Sequence, residues 1–271
     1  MYLASLYGSI KAQFLSDFDV VIVASCHPYT LQKYYELMDK IDHRIPRIFV
    51  DGGDFPELVG DLERFGGKEL FEKIVLKRPF DLFFKREYCL DREYPSNCYP
   101  LPMCFNYDFM PTLPLHYKYD VAFWAVESDP IRTRALEILE NKYDCKKNGT
   151  VRNQIMKKYK RKGAFYLQEI KSAKIGLNLR GGGWDTLRFW ELTGMGCFVI
   201  SQKLNIKINY PFVDREDIVY CKEDLSDLVE LCDYYLAHPE EREKIASNAR
   251  KKVEQYHTDV YRAEYVLSFL K

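Results

Sequence analysis

Hydrophobic and polar positions alternate along the chain in blocks. Asp19-Val20-Val21-Ile22-Val23-Ala24 is a run dominated by β-branched residues, the pattern of a strand buried on both faces. A polar turn, Ser25-Cys26-His27-Pro28, follows. From Tyr29 to Ile41 the apolar residues Leu31, Tyr34, Tyr35 and Met38 recur at helical spacing. Arg47-Ile48-Phe49-Val50 predicts a second strand that ends in Asp51-Gly52-Gly53-Asp54. Asp81-Leu82-Phe83-Phe84 predicts a third, running into Lys85-Arg86-Glu87. Strand, helix, strand is the rhythm of an α/β protein with a parallel sheet.

The pattern breaks over residues 95–116, where Pro95, Pro100, Pro102, Pro111 and Pro114 stand among aromatic residues. Proline at this density stops helices and central strands, so the stretch reads as an interdomain linker. Alternation resumes with a strand over Tyr119–Val126. A helix then opens at Asp129-Pro130, a capping residue followed by proline at the first helical position. Lys174–Leu179 and Cys197–Ser201 predict strands, with a loop over 180–185 and a helix over Thr186–Met195 between them. Leu225–Leu236, Pro239–Gln255 and Asp259–Leu270 predict closing helices. At about 100–200 residues per domain, a chain of 271 residues accommodates two domains, 1–112 and 113–271.

Forty basic and forty acidic residues give zero net charge, which argues against a sequence-blind grip on nucleic acid. The eight cysteines form no C-x-x-C pair and have no histidine cluster beside them. A zinc site and a disulfide scaffold are therefore not expected, and a reducing cytoplasm is the simplest setting. Residues 1–15 lack a basic stretch followed by a long apolar run, so no signal peptide is expected. The apolar run Val20–Ala24 is far too short to span a bilayer.

The most distinctive candidate chemistry lies between residues 174 and 195: a strand, the loop Arg180-Gly181-Gly182-Gly183-Trp184-Asp185, and a helix. Glycines admit a ligand close to backbone N–H groups, and a helix N-terminus favours an anion. A tight turn explains the same glycines equally well. The spacing matches neither the dinucleotide fingerprint nor the P-loop. Arg188 and Glu191 stand three apart on one helix face. They form an intrahelical ion pair, or else Arg188 meets a phosphate while Glu191 accepts ribose hydroxyls.

Four ordered pieces of the second half resemble the nucleotide-sugar-binding domain of group-1-like glycosyltransferases, and within them the branch of the spore maturation glycosyltransferases. They are Tyr119–Phe123 with Arg132 and Arg134 downstream; Lys174–Asn178; Arg188-Phe189-Trp190-Glu191 through Phe198; and Asp224–Arg242 with Ala246 and His257-Thr258. Asp51–Asp54, Phe84–Glu87 and Pro100–Pro102 carry a looser likeness in the first half. The resemblance implies a GT-B architecture, two Rossmann-like doubly wound domains facing across a cleft, with the last helix crossing back onto a shortened first domain. It also implies transfer of a sugar from a nucleotide-diphosphate sugar to an acceptor hydroxyl, on a glycan, a lipid or another molecule, with no cofactor and no metal. Glu191 takes the place of the glutamate that holds the donor ribose. Gly181, Gly182 and Gly183 take the loop at the diphosphate, and Arg132 or Arg134 the basic residue that pairs with it. Where many retaining relatives carry a glutamate eight positions before the ribose glutamate, this chain has Gly183; Asp185 is the candidate substitute.

In the first half, His27, Asp51 and Asp54 end predicted strands, where open α/β sheets place ligands, and each is a candidate general base. A surface histidine and turn-capping aspartates are the plainer alternatives. Lys85, Arg86 and Glu87 are candidates for phosphate binding or interdomain contact, or a solvated charge run. The short first domain leaves room for a partner, a second copy of this chain included. Two other functions fit the same pattern: a nucleotide-sugar-binding scaffold without turnover, and a GT-B sugar-nucleotide epimerase.

Overall fold

The computed structural model describes residues 18–109, 116–153 and 163–270. The chain divides into two compact units between Leu101 and Pro102. The junction expected at 112/113 therefore shifts, because residues 102–107 are held by the second unit. Arg262 donates to the carbonyls of Pro102 (3.1 Å) and Met103 (3.4 Å). The Phe105 N–H donates to the His257 carbonyl at 3.0 Å, and the Asp259 N–H donates back to Phe105 at 3.1 Å.

The first unit is a four-stranded parallel sheet, β1 (Val21–Ala24), β2 (Arg47–Asp51), β3 (Leu82–Lys85) and β4 (Cys98–Pro100), in chain order. Helices α1 (Pro28–Leu37), α2 (Gly60–Arg64) and α3 (Lys68–Lys77) connect the first three strands. Val23 and Phe49 pack with Leu31, Tyr34 and Met38 of the first crossover and Phe71 and Ile74 of the second, which forms the core. Strand β4 lies inside the stretch expected to be a linker. It is the outer member of the described sheet, and a strand there tolerates Pro100, which has no N–H to donate to a further neighbour.

The second unit repeats the plan with β5 (Tyr119–Ala122), α4 (Pro130–Leu139), α5 (Cys145–Asn148), α6 (Gly163–Lys171), β6 (Ala173–Asn178), α7 (Leu187–Gly194), β7 (Phe198–Gln202) and β8 (Val219–Cys221). Helices α8 (Leu228–Ala237), α9 (Pro239–Tyr256) and α10 (Asp259–Ser268) follow. All four strands are parallel and again in chain order. Alternation along β6 separates the two faces. Ile175 and Leu177 join Leu136, Leu139, Leu228, Tyr235 and Ile245 in one core. Gly176 faces the other way, where a Cβ would stand 2.5 Å from Leu192 of α7. Helices thus cover both faces, which is why β6 and β7 read as continuous apolar runs. The caps follow the sequence: Asp129 accepts the Ile131 N–H at 3.0 Å ahead of Pro130, and Thr186 and Thr258 cap α7 and α10. Among the described residues no helix is long and apolar enough to cross a membrane.

Candidate functional site

In the second unit, β6 delivers the chain to the glycine loop, and a buried polar chain fixes the exit. Asn178 donates to Ser201 Oγ at 2.9 Å and accepts from the Thr186 hydroxyl at 2.5 Å. The Ser201 hydroxyl donates to the Gln202 carbonyl at 2.7 Å, and Gln202 Oε1 accepts the Arg180 N–H at 3.0 Å. Thr186 also caps the start of α7. Both ends of the 180–185 loop are therefore anchored before any ligand arrives, the preorganisation that a binding loop requires.

Arg132 projects from α4 under this loop and is buried. Its guanidinium donates to the carbonyls of Arg180 (2.8 Å), Leu179 (3.1 Å) and Val126 (3.2 Å) and to Ser128 Oγ (3.1 Å). These four acceptors are neutral. Burial, and then the charge of Arg188, lower its pKa to about 10, so it remains a cation at neutral pH. Gly181 lies against it: a Cβ there would come within 2.8 Å of Arg132 Nη2, which makes glycine a packing requirement at this position. Gly182 is exposed and Gly183 is buried.

On α7, the Arg188 guanidinium donates to the Trp124 carbonyl and lies 5.4 Å from the Phe123 ring centre. Arg188 also hydrogen-bonds the Tyr166 hydroxyl, which in turn hydrogen-bonds Glu191. Burial raises the Glu191 pKa, and the Arg188 charge and the Tyr166 bond partly counter it. The simple alternatives for Arg188 and Glu191 thus resolve into a relay through a third residue. Tyr166 was not singled out from the sequence, since nothing around a tyrosine on an amphipathic helix marks it before the helix is placed beside α7. Arg180 adds a further cation. It stands 3.2 Å from Asp129 and 4.6 Å from the Trp184 ring centre.

Two candidates leave this group. Arg134 points along another face of α4 and donates to the Asp224 carbonyl at 2.9 Å, so of the two arginines Arg132 is the one at the loop. Asp185 is buried, and both of its carboxylate oxygens are engaged within the protein. It accepts the Trp190 indole N–H at 2.7 Å and the Met103 N–H at 2.6 Å, and so staples the 102–105 segment to α7. His257 is also structural. Its Nδ1 accepts from Arg262 at 3.1 Å, which leaves Nε2–H to donate to the Tyr210 carbonyl at 3.0 Å. Burial, and next the Arg262 charge, push its pKa down to about 3, so the ring is neutral.

In the first unit, Asp51, Asp54, Lys85, Arg86 and Glu87 gather at the carboxyl ends of β2 and β3. Asp51 is consumed there: Oδ2 accepts from Lys85 at 3.0 Å and from the Val59 N–H at 2.7 Å, and Oδ1 accepts the Gly53 N–H at 3.0 Å. Arg86 pairs with exposed Asp54 and stands 3.5 Å from buried Glu87. His27 is exposed at the end of β1. Its Nδ1 accepts the Tyr29 N–H at 3.5 Å as the cap of α1, so the lone pair that a general base would use is engaged in a long, weak cap bond. Among the described residues no group of three or more His, Cys, Asp or Glu side chains could hold a metal ion.

The chain is similar to known proteins in family and in fold. A family model described as glycosyl transferase-like matches residues 132–268, from Arg132 through the last helix. Among solved structures, an alpha-glucosyltransferase in complex with UDP and a 13-mer DNA containing a central A:G mismatch is 12% identical, with a TM-score of 0.66. The likeness covers 96% of this chain and 81% of that one. HepE of Anabaena in complex with UDP and glucose is 11% identical at a TM-score of 0.58, over 96% and 79% of the two chains. Sucrose-phosphate synthase from Thermosynechococcus elongatus is 9% identical at 0.55, over 93% and 73%. No curated protein matches by sequence. The solved structures show the fold, the two-domain α/β architecture of the GT-B class.

Proposed function

The chain belongs to the glycosyl transferase-like family, and from that premise we propose that it moves a sugar from a nucleoside diphosphate to an acceptor hydroxyl. The observation that carries the proposal is the group at the end of β6. The buried cation Arg132 lies under a glycine loop, Arg188 stands beside it on α7, and a carboxylate, Glu191, is held through Tyr166. A diphosphate seated over the loop meets guanidinium charge and the unpaired N–H groups that open α7. Glu191 then accepts from the ribose hydroxyls.

In the transfer, the bond from the anomeric carbon to the diphosphate oxygen breaks and a bond to the acceptor oxygen forms. The acceptor proton leaves with a base or water. Negative charge grows on the departing diphosphate, and the proposed role of Arg132, Arg188 and Arg180 is to offset it. These cations supply the role that a metal has in other transferases, so the proposed reaction is metal-independent. The transferred group is proposed to be a hexose. Eight free cysteines support a reducing, cytoplasmic setting.

Calorimetry with a panel of nucleoside diphosphates and nucleotide sugars tests the reading. One base is bound selectively, and Glu191→Ala raises its dissociation constant at least tenfold, an interaction of about 1.4 kcal/mol. Equal binding by wild type and variant overturns the assignment of Glu191. Added EDTA leaves turnover unchanged. One observation favours a second reading, binding without turnover: Asp51 is closed by Lys85, and the His27 lone pair caps a helix. That reading requires donor binding with no product on any acceptor.

A further inference from the structure

Three guanidinium groups gather at the glycine loop of the second unit, and their N–H groups are spent unequally. Arg132 is buried and gives four hydrogen bonds, to the carbonyls of Arg180, Leu179 and Val126 and to Ser128 Oγ. That uses nearly all the donors a guanidinium has. Gly181 closes on Nη2, where even a Cβ would stand only 2.8 Å away. Arg188 is committed in the same way, to the Trp124 carbonyl and the Tyr166 hydroxyl, with the centre of the Phe123 ring 5.4 Å away.

Arg180 differs. Its backbone is fixed, since its N–H donates to Gln202 Oε1 at 3.0 Å and its carbonyl accepts from Arg132 at 2.8 Å. Its side chain is 36% exposed, and among the described residues its guanidinium makes no hydrogen bond. Nε lies 3.2 Å from Asp129 Oδ2, an ion pair without hydrogen-bond alignment. The guanidinium stands 4.6 Å from the centre of the Trp184 ring, within the range at which a ring face holds a cation. The side chain is thus held in place while its N–H groups are left for a ligand.

Asp129 has two duties. Through Oδ1 it accepts the Ile131 N–H at 3.0 Å as the cap of α4, and through Oδ2 it faces Arg180. The cap needs an oxygen and no charge, so an asparagine performs it as well. The negative charge is the part that the helix does not require.

We propose that Arg180 is the residue that contacts the donor diphosphate, that Asp129 is the counter-ion the diphosphate displaces, and that Arg132 shapes the loop from beneath without touching the ligand. The inference rests on the nucleotide-sugar reading above and assigns the contact within that site. A diphosphate offers the Arg180 fork paired, aligned acceptors that Asp129 Oδ2 does not. It also carries more negative charge than one carboxylate, so it wins the shared cation. Arg132 acts on the ligand by its charge alone, through the loop. As the nucleoside diphosphate leaves, Asp129 takes the cation back, which limits how tightly that product is retained.

The test is calorimetry on the full chain with UDP, GDP, ADP, CDP and dTDP, with the matching nucleosides followed by ligand-observed NMR. Wild-type protein binds one diphosphate roughly tenfold or more tightly than its nucleoside. Arg180→Met keeps both backbone bonds of the residue. It lowers diphosphate affinity by roughly tenfold or more and leaves nucleoside affinity and the melting temperature as in wild type. Asp129→Asn keeps the cap and tightens diphosphate binding about threefold. In an Arg180→Met background the same change gives no gain, whereas a general charge effect would persist undiminished. The proposal is overturned if Arg180→Met keeps wild-type diphosphate affinity, or if it weakens nucleoside and diphosphate alike, the mark of a collapsed loop. It is overturned equally if the Asp129→Asn gain is absent, or survives without Arg180. Failure of the donor reading looks different: no member of the panel binds folded wild-type protein, and the assignment of Arg180 falls with it.

Discussion

The buried pair Asp51–Lys85 separates structure from chemistry in the first unit. Both side chains are essentially inaccessible, and Lys85 Nζ stands 3.0 Å from Asp51 Oδ2. At an effective dielectric of about 20, opposite unit charges at that distance attract by about 5 kcal/mol. Desolvation of the two ions offsets much of this, so the net value of the pair is small; removing one partner is a different matter. Lys85→Met leaves the Asp51 carboxylate buried with two backbone N–H donors and no cation, at an expected cost of about 3–5 kcal/mol. Asp51→Asn costs a comparable amount, because one of its N–H partners and the Lys85 ammonium lose their acceptor. The double variant restores neutrality and costs less than the sum, with a coupling of about 2 kcal/mol. Urea unfolding followed by aromatic fluorescence reads these values as midpoint shifts at constant slope. Affinity of the folded variants for the nucleoside diphosphate that calorimetry selects stays at the wild-type value. A cost below about 1 kcal/mol for Lys85→Met, or strict additivity, refutes the argument. A loss of that affinity without loss of stability would instead return the pair to the functional site.

Three further outcomes follow from particular contacts. Gly181→Ala drives a methyl group against Arg132 Nη2, so it displaces a buried guanidinium from its hydrogen bonds, raises the dissociation constant of the selectively bound nucleoside diphosphate about tenfold and lowers the melting temperature; calorimetry and a thermal scan check both parts. His257 has a folded pKa of about 3 against an ordinary 6.5, so the unfolded chain takes up the proton first as pH falls. Its contribution is complete above pH 6.5 and is lost at about 1.4 kcal/mol per unit down towards pH 3, about 2 kcal/mol by pH 5; His257→Gln flattens that part of the stability–pH profile. His27→Asn keeps a side-chain cap for α1, so it conserves stability; if turnover falls sharply in this variant while stability holds, the imidazole acts on the acceptor, and if turnover is kept, the cap is its whole role.

The α/β class, the Asp129-Pro130 and Thr186 helix starts, and the strand–glycine loop–helix unit were all legible in the sequence. Each depends on neighbours along the chain: β-branched runs, capping residues and helical periodicity act within a few residues. The proline-rich stretch misled for the same reason. Pro100 argues against a central strand, and only sheet assembly shows that β4 occupies the outer position where a missing N–H goes unnoticed. Likewise Met103 and Phe105 look like linker residues until Asp185, His257 and Arg262 are brought to them from more than eighty positions away.

The sites divide along the same line. Helix spacing and charge selected Arg188 and Glu191, and the resemblance to group-1-like glycosyltransferases added Arg132, Arg134 and Asp185. Neither could decide which of them were already occupied. Tertiary structure gives Arg134 to the Asp224 carbonyl and Asp185 to two N–H donors. It turns Asp51 into half of a buried ion pair and brings Tyr166 between Arg188 and Glu191. A buried polar group must find a partner, and the partners here come from distant elements, so whether a charged residue is free to meet a ligand is settled only when the chain has folded around it.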